Sequence, residues 1–75
     1  MSETMGDRIR GARVRKRLKQ AELARLVGIS TNAMNAIELG SVDPRVSRVL
    51  KIAQVLDVSV DYLLDHTATR KRYAA

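Results

Sequence analysis

The chain has 75 residues, no cysteine, a single histidine and a formal net charge of +6, so disulfides and Cys-ligated zinc are excluded and His66 cannot build a metal site alone. One small domain of this size buries only about 60% of the surface its unfolded chain exposes, which leaves helix packing and self-association as its sources of stability. No apolar run reaches the roughly 18 residues of a membrane span and no signal-peptide stretch opens the chain, giving the expectation of a soluble, cytoplasmic protein without a membrane role.

Aliphatic residues at helical spacing, with one proline and four glycines, predict an all-α domain. The basic balance is compatible with nucleic acid, an anionic membrane, an acidic partner or solubility alone, so spacing has to decide. Residues 1–4 carry no structural signal, and residues 1–5 are set apart as a flexible N-terminus ahead of a domain at 6–65. A first helix is predicted from about Asp7 to Arg17. Met5, Ile9 and Ala12 form one apolar stripe, with Val14 off it and partly exposed. The other positions are largely basic, including Arg8, Arg10, Arg13, Arg15, Lys16 and Arg17. Gly11 sits mid-helix at a cost of up to ~1 kcal/mol relative to Ala, and nothing in the sequence accounts for it.

A second helix, about Gln20 to Val27, is expected to bury Leu23, Ala24 and Val27 and to stop at Gly28, which can take positive φ. Ser30 then caps a third helix to about Leu39, with Met34 and Ile37 inward and Gly40 ending it. Asp43-Pro44 marks a loop. A fourth helix, about Val46 to Leu56, presents Val46, Val49, Leu50, Ala53 and Leu56 as its inner stripe. Ser59 caps a fifth, ending near Leu64 and presenting Val60, Leu63 and Leu64. Residues 66–75, with Arg70-Lys71-Arg72, read as a loose basic tail that solvates the chain rather than entering a minor groove.

The second and third helices carry the functional signal. Two helices joined by a three-residue turn cross closely, at ~90–120°, which requires a small residue mid-way along the first and positive φ in the turn. Ala24 and Gly28 meet both demands. With Met34 and Ile37 inward, the outer side of the third helix presents Thr31, Asn32 and Asn35, polar groups able to reach base edges. Ala36 is small enough to admit a thymine methyl.

Gln20-Ala21-Glu22-Leu23-Ala24, Gly28-Ile29-Ser30, Met34, Ile37-Glu38-Leu39-Gly40 and Pro44 in this frame resemble the phage repressor and Cro type of helix-turn-helix domain, the Xre family. The resemblance continues through Leu50-Lys51-Ile52-Ala53-Gln54-Val55-Leu56 and Val58-Ser59-Val60-Asp61-Tyr62-Leu63-Leu64, covering about residues 6 to 64. It implies a five-helix, lambda-repressor-like domain with its third helix in the major groove of double-stranded DNA. It also implies a homodimer on a near-palindromic operator.

Residue by residue, the resemblance assigns Gln20 to the phosphate backbone, where a helix N-terminus and an amide donor suit an anion. It places Thr31, Asn32 and Asn35 at base-reading positions, Arg13 and Glu38 as an ion pair between the first and third helices, and Arg45 within reach of a phosphate. Arg17 stands where the family usually has Gly, and Lys19 where it has a Ser or Thr cap. The first helix is therefore expected either to run on or to end less sharply, with Arg17 and Lys19 as further phosphate ligands. Val58, Val60, Tyr62 and Leu63 are expected at the dimer surface, because the fifth helix holds more apolar residues than one side can bury.

The resulting expectation is a transcriptional regulator, repressor-like or restriction–modification controller-like. The alternative is an antitoxin that occupies its toxin by protein contact and regulates itself through DNA. No nucleophile–base pair, carboxylate dyad or metal cluster is available, so no catalytic or metal residue, cofactor or small-molecule ligand is expected. Glu38 reads as structural and His66 as a solvated surface residue.

Overall fold

The computed structural model describes residues 3–64, so the basic tail and His66 lie outside the described residues. Its elements are five helices with no strand among them: α1 (Met5–Arg15), α2 (Gln20–Val27), α3 (Thr31–Leu39), α4 (Val46–Leu56) and α5 (Val60–Leu64).

The first helix begins at Met5, two residues before the expected Asp7 start and inside the stretch expected to be flexible, because Thr4 and Asp7 form a capping box. The Thr4 hydroxyl accepts from the Asp7 amide at 3.1 Å and the Asp7 carboxylate from the Thr4 amide at 3.1 Å, so two otherwise orphaned donors are satisfied. These hydrogen bonds, with Arg10 adding another at 2.8 Å, hold the Asp7 carboxyl below its ordinary value near 3.8.

Four helices end by one device. The amides of Leu18, Ile29, Ser41 and Val58 each donate to the carbonyl five residues back, at 2.9–3.1 Å, and the residue before each donor takes positive φ. Gly28 and Gly40 do this at φ 91° and 82° without steric cost, whereas Arg17 and Asp57 do it at φ 60° and 58°. The first helix therefore does not run on to Arg17. It stops at Arg15, and Arg17 occupies the left-handed position that a glycine would fill more easily.

Ile9, Ala12, Leu23, Ala24, Met34, Ile37, Val49, Ile52, Ala53, Leu56 and Leu63 form one core at the junction of all five helices. The inner stripe of α4 differs from the sequence expectation. Val46 and Leu50 are 73% and 51% exposed, while Ile52 is fully buried. Two overlapping i, i+3, i+4, i+7 stripes exist on this helix, and packing against α1, α2 and α5 selects the one starting at Val49. Leu63 is also fully buried, so it has no surface to offer a second subunit and is withdrawn from the expected dimer contacts. Val58, Val60 and Tyr62 are half-buried against the core.

Gly6 proves to be a packing residue. A Cβ there would stand 2.7 Å from the Ile37 carbonyl oxygen and closer still to that of Glu38, so the start of α1 rests directly on the end of α3. At Gly11 a Cβ would meet only the Arg15 guanidinium, at 3.5 Å, and nothing in the structure requires glycine there.

Candidate nucleic-acid interface

The two-helix unit is set by local chemistry. At the start of α2 the Glu22 carboxylate accepts from the Lys19 amide at 2.7 Å, which satisfies the backbone N–H of the N-cap residue, while the Lys19 side chain supplies no acceptor of the kind a Ser or Thr would. At the start of α3 the Ser30 hydroxyl accepts from the Ala33 amide at 3.0 Å. Met34 and Ile37 anchor α3 inward, so Thr31, Asn32 and Asn35 lie exposed on its outer side and Ala36 is half-buried beside them. Ala36 and Arg45 line one open cleft of about 590 Å³, together with Ala33, Val42, Pro44 and Arg48. Arg48 did not stand out in the sequence, although its i, i+3 spacing from Arg45 puts both on one side of the start of α4.

Behind this surface lies a buried electrostatic brace. Arg13 grips Glu38 in a two-pronged contact, Nε to Oε2 at 2.7 Å and Nη2 to Oε1 at 3.1 Å. The Glu38 side chain is only 2% exposed and that of Arg13 only 14%. Arg13 also donates to the Leu18 carbonyl at 2.9 Å, tying α1 and the turn before α2 to the end of α3. Breaking such a pair by removing one partner typically costs about 3–5 kcal/mol, because the other charge stays buried.

Gln20 is drawn into the same network. Its Nε2 donates to Glu38 Oε1 and to Asn35 Oδ1, both at 3.2 Å. Both amide hydrogens of Gln20 are thus engaged within the protein, one in the part-buried bond to Glu38 and one in the exposed bond to Asn35. The sequence placed Gln20 and Asn35 at separate tasks; the structure joins them. No sequence signal connects two residues fifteen positions apart across a helix crossing.

The basic residues divide sharply. The Arg8 guanidinium lies 5.8 Å from the centre of the Tyr62 ring and 3.6 Å from the Glu3 carboxylate, with its side chain only 16% exposed. Arg10 pairs with Asp7, and Arg15 donates to the Tyr62 hydroxyl at 3.2 Å. Lys16, Arg17 and Lys19 are exposed where the chain passes from α1 into α2, and Arg45 and Arg48 are exposed at the start of α4. None of these five has an ion-pair partner among the described residues. No cluster of potential metal ligands occurs among the described residues, and no helix there is long and apolar enough to cross a membrane.

Residues 9–63 match a family profile described as Helix-turn-helix. The chain is 37% identical over 65 residues to the uncharacterized HTH-type transcriptional regulator YqaE of Bacillus subtilis, covering 87% of this chain and 56% of that protein. It is 35% identical over 63 residues to Repressor protein C2 of Salmonella phage P22, covering 84% of this chain and 29% of that protein. The chain therefore spans well under two thirds of these relatives' lengths. The crystal structure of the P22 c2 repressor with a synthetic operator superposes with a TM-score of 0.81 at 34% identity, covering 85% of this chain and 97% of that one. The biofilm regulator SinR of Bacillus subtilis, solved in complex with DNA, gives 0.78 at 35% identity, covering 83% and 100%.

Proposed function

This chain belongs to the helix-turn-helix family of the phage repressor type, and from that premise we propose that it is a sequence-specific DNA-binding transcriptional regulator. The observation that carries the reading is the outer row of α3. Thr31, Asn32 and Asn35 are exposed on a helix whose opposite side is locked into the core. A helix of this width fits the major groove of B-DNA, and hydroxyl and amide groups on it can distinguish base edges.

In the docked complex, the exposed Lys16, Arg17 and Lys19, the N-terminus of α2 at Gln20, and Arg45 lie against phosphates and set the register. Thr31, Asn32 and Asn35 read bases, and Ala36 leaves space for a thymine methyl. The chain acts as a homodimer on a near-palindromic operator, using Val58, Val60 and Tyr62 around α5, with its recognition helices about 34 Å apart. Similarity to a repressor solved with an operator and to a regulator solved with DNA supports this reading.

The test is selection of bound sites from random double-stranded DNA, followed by gel shifts on the enriched sequence. The expected result is a two-fold symmetric site bound with a steep loss of affinity as salt rises, since phosphate contacts release counterions. Retention of no particular sequence would refute the proposal. Binding one protomer per site at every concentration would refute its dimeric part.

A further inference from the structure

We propose that Leu39, beside Ala36, receives the C5-methyl of a thymine, which makes it a further specificity-determining residue on α3. The inference rests on the DNA-binding reading above and adds to it one base and the side chain that selects it.

Leu39 is the last residue of α3 and is 64% exposed. Its place on the helix follows from the register. Met34, Ile37 and Glu38 are buried and define the inner side. At 3.6 residues per turn, Leu39 lies about 150° round the helix from the centre of that side. It stands four residues beyond Asn35 and seven beyond Asn32, so the outward row of polar residues runs on into it. Long side chains on a helix lean toward its N-terminus. Leu39 therefore reaches back over the turn that carries Asn35 and Ala36, not off the end of the helix.

An isobutyl group can neither donate nor accept a hydrogen bond, so of the groups on the base edges only an apolar one suits it. The major groove displays one such group, the C5-methyl of thymine. Ala36 precedes Leu39 by three residues, which makes the two neighbours on the helix surface, with Cβ atoms about 5–6 Å apart. Ala36 has no atom beyond Cβ, so a methyl laid against it meets the Leu39 side chain as a wall. The rise from Asn35 to Leu39 is about 6 Å, less than two base-pair steps of ~3.4 Å. The thymine should then lie within about two base pairs of the position that Asn35 reads. Taking one methyl out of water is worth about fourfold in affinity, equivalent to ~0.8 kcal/mol.

Site selection from random double-stranded DNA with the full chain locates the base. Asn35→Ala marks the position that Asn35 reads, where its preference relaxes. Wild type should enrich thymine within about two base pairs of it, and Leu39→Ala should relax that thymine while other positions keep their order. On the selected site, replacing this thymine by uracil in one half-site deletes the methyl and leaves every hydrogen-bonding group of the base in place. Wild type should then lose about fourfold in affinity, Leu39→Ala should bind both duplexes nearly equally, and Leu39→Met should keep the discrimination. Leu39 is exposed, so helical circular dichroism should be unchanged in both variants. Equal binding of the two duplexes by wild type, undiminished discrimination in Leu39→Ala, or a uniform loss on all sites in that variant would each overturn the inference while leaving DNA binding standing. No enrichment of any sequence by wild type would overturn both.

Discussion

Replacing Gly6 by alanine should destabilise the fold, although the same change at Gly11 on the same helix should stabilise it. The Gly6 Cβ would lie 2.7 Å from the Ile37 carbonyl oxygen and 2.8 Å from the Glu38 carbonyl carbon. Favourable carbon contacts begin near 3.5 Å, so the start of α1 would have to retreat by roughly 1 Å from the end of α3. Every atom it meets is backbone, and no flexible side chain can give way. Overpacking of this kind costs about 1–3 kcal/mol. The helix-propensity gain of alanine, up to about 1 kcal/mol, is reduced at Gly6 because the residue sits in the first turn. A net loss near 1–2 kcal/mol lowers Tm by roughly 4–16 °C in a domain this small. At Gly11 the full gain of about 1 kcal/mol applies, since only the mobile end of Arg15 is near. Thermal and urea denaturation followed by circular dichroism measures both. A Gly6→Ala protein as stable as wild type, or two variants that shift in the same direction, would refute the packing argument.

Arg17→Gly relieves a left-handed backbone that costs an L-residue about 1–2 kcal/mol. Set against glycine's greater unfolded-state freedom, a gain of about 0.5–1 kcal/mol should appear in urea titrations. DNA affinity should fall in the same variant, with the salt slope shallower by about one unit if Arg17 meets a phosphate. For Asp7, the folded-state pKa is depressed, so its contribution to stability is present above the ordinary carboxylate value near 3.8 and is lost as pH falls through the lower folded value. The Tm gap between wild type and Asp7→Asn should therefore be present at pH 7 and narrow as pH falls below 3.8 toward the lower folded value; a gap independent of pH would contradict the assignment. Asn32→Ala should weaken binding to the selected operator by ~1–3 kcal/mol and leave binding to random DNA nearly unchanged in competition gel shifts. Equal losses on both would remove Asn32 from the base-reading set.

The arrangement of five helices was legible because its signals are local. Ser30 and Ser59 are caps, Gly28 and Gly40 are stops, and Ala24 with Met34 and Ile37 marks a close crossing, whereas the Thr4 cap went unread. What the sequence could not resolve depended on contacts made across the fold. The Val46 and Val49 stripes of α4 are equally periodic, and only the neighbours of α4 choose between them. Gly6 looks like an unremarkable residue near a terminus until the end of α3 is laid on it. Leu63 looks surplus on a five-residue helix, yet it reaches the centre of the core. At the site, position on α3 identified the candidate readers, but the bond from Gln20 that orients Asn35 comes from a different helix.

The charge that first suggests nucleic acid is only partly available to it. Of the basic residues on α1, Arg13 is paired in the brace, Arg8 with Glu3 over the Tyr62 ring and Arg10 with Asp7, while Arg15 meets only the neutral Tyr62 hydroxyl and keeps its charge. Arg13 pins α1 to α3 and Arg8 and Arg15 tie it to α5, whereas the Arg10 pair stays within α1. The exposed cations without an ion pair among the described residues sit elsewhere as well: Lys16, Arg17 and Lys19 before α2, Arg25 on α2, and Arg45, Arg48 and Lys51 on and before α4. The first and last of these groups flank the two-helix unit in the chain, and the outward row of α3 lies between them in sequence. On the proposed reading, contacts from these cations would set the register on a duplex and Thr31, Asn32 and Asn35 would decide the sequence. The net charge of +6 is therefore a poor measure of DNA affinity here. The salt slope should track the few exposed cations around α2 and α4, and substitutions at Arg8, Arg10 or Arg13 should act through stability instead.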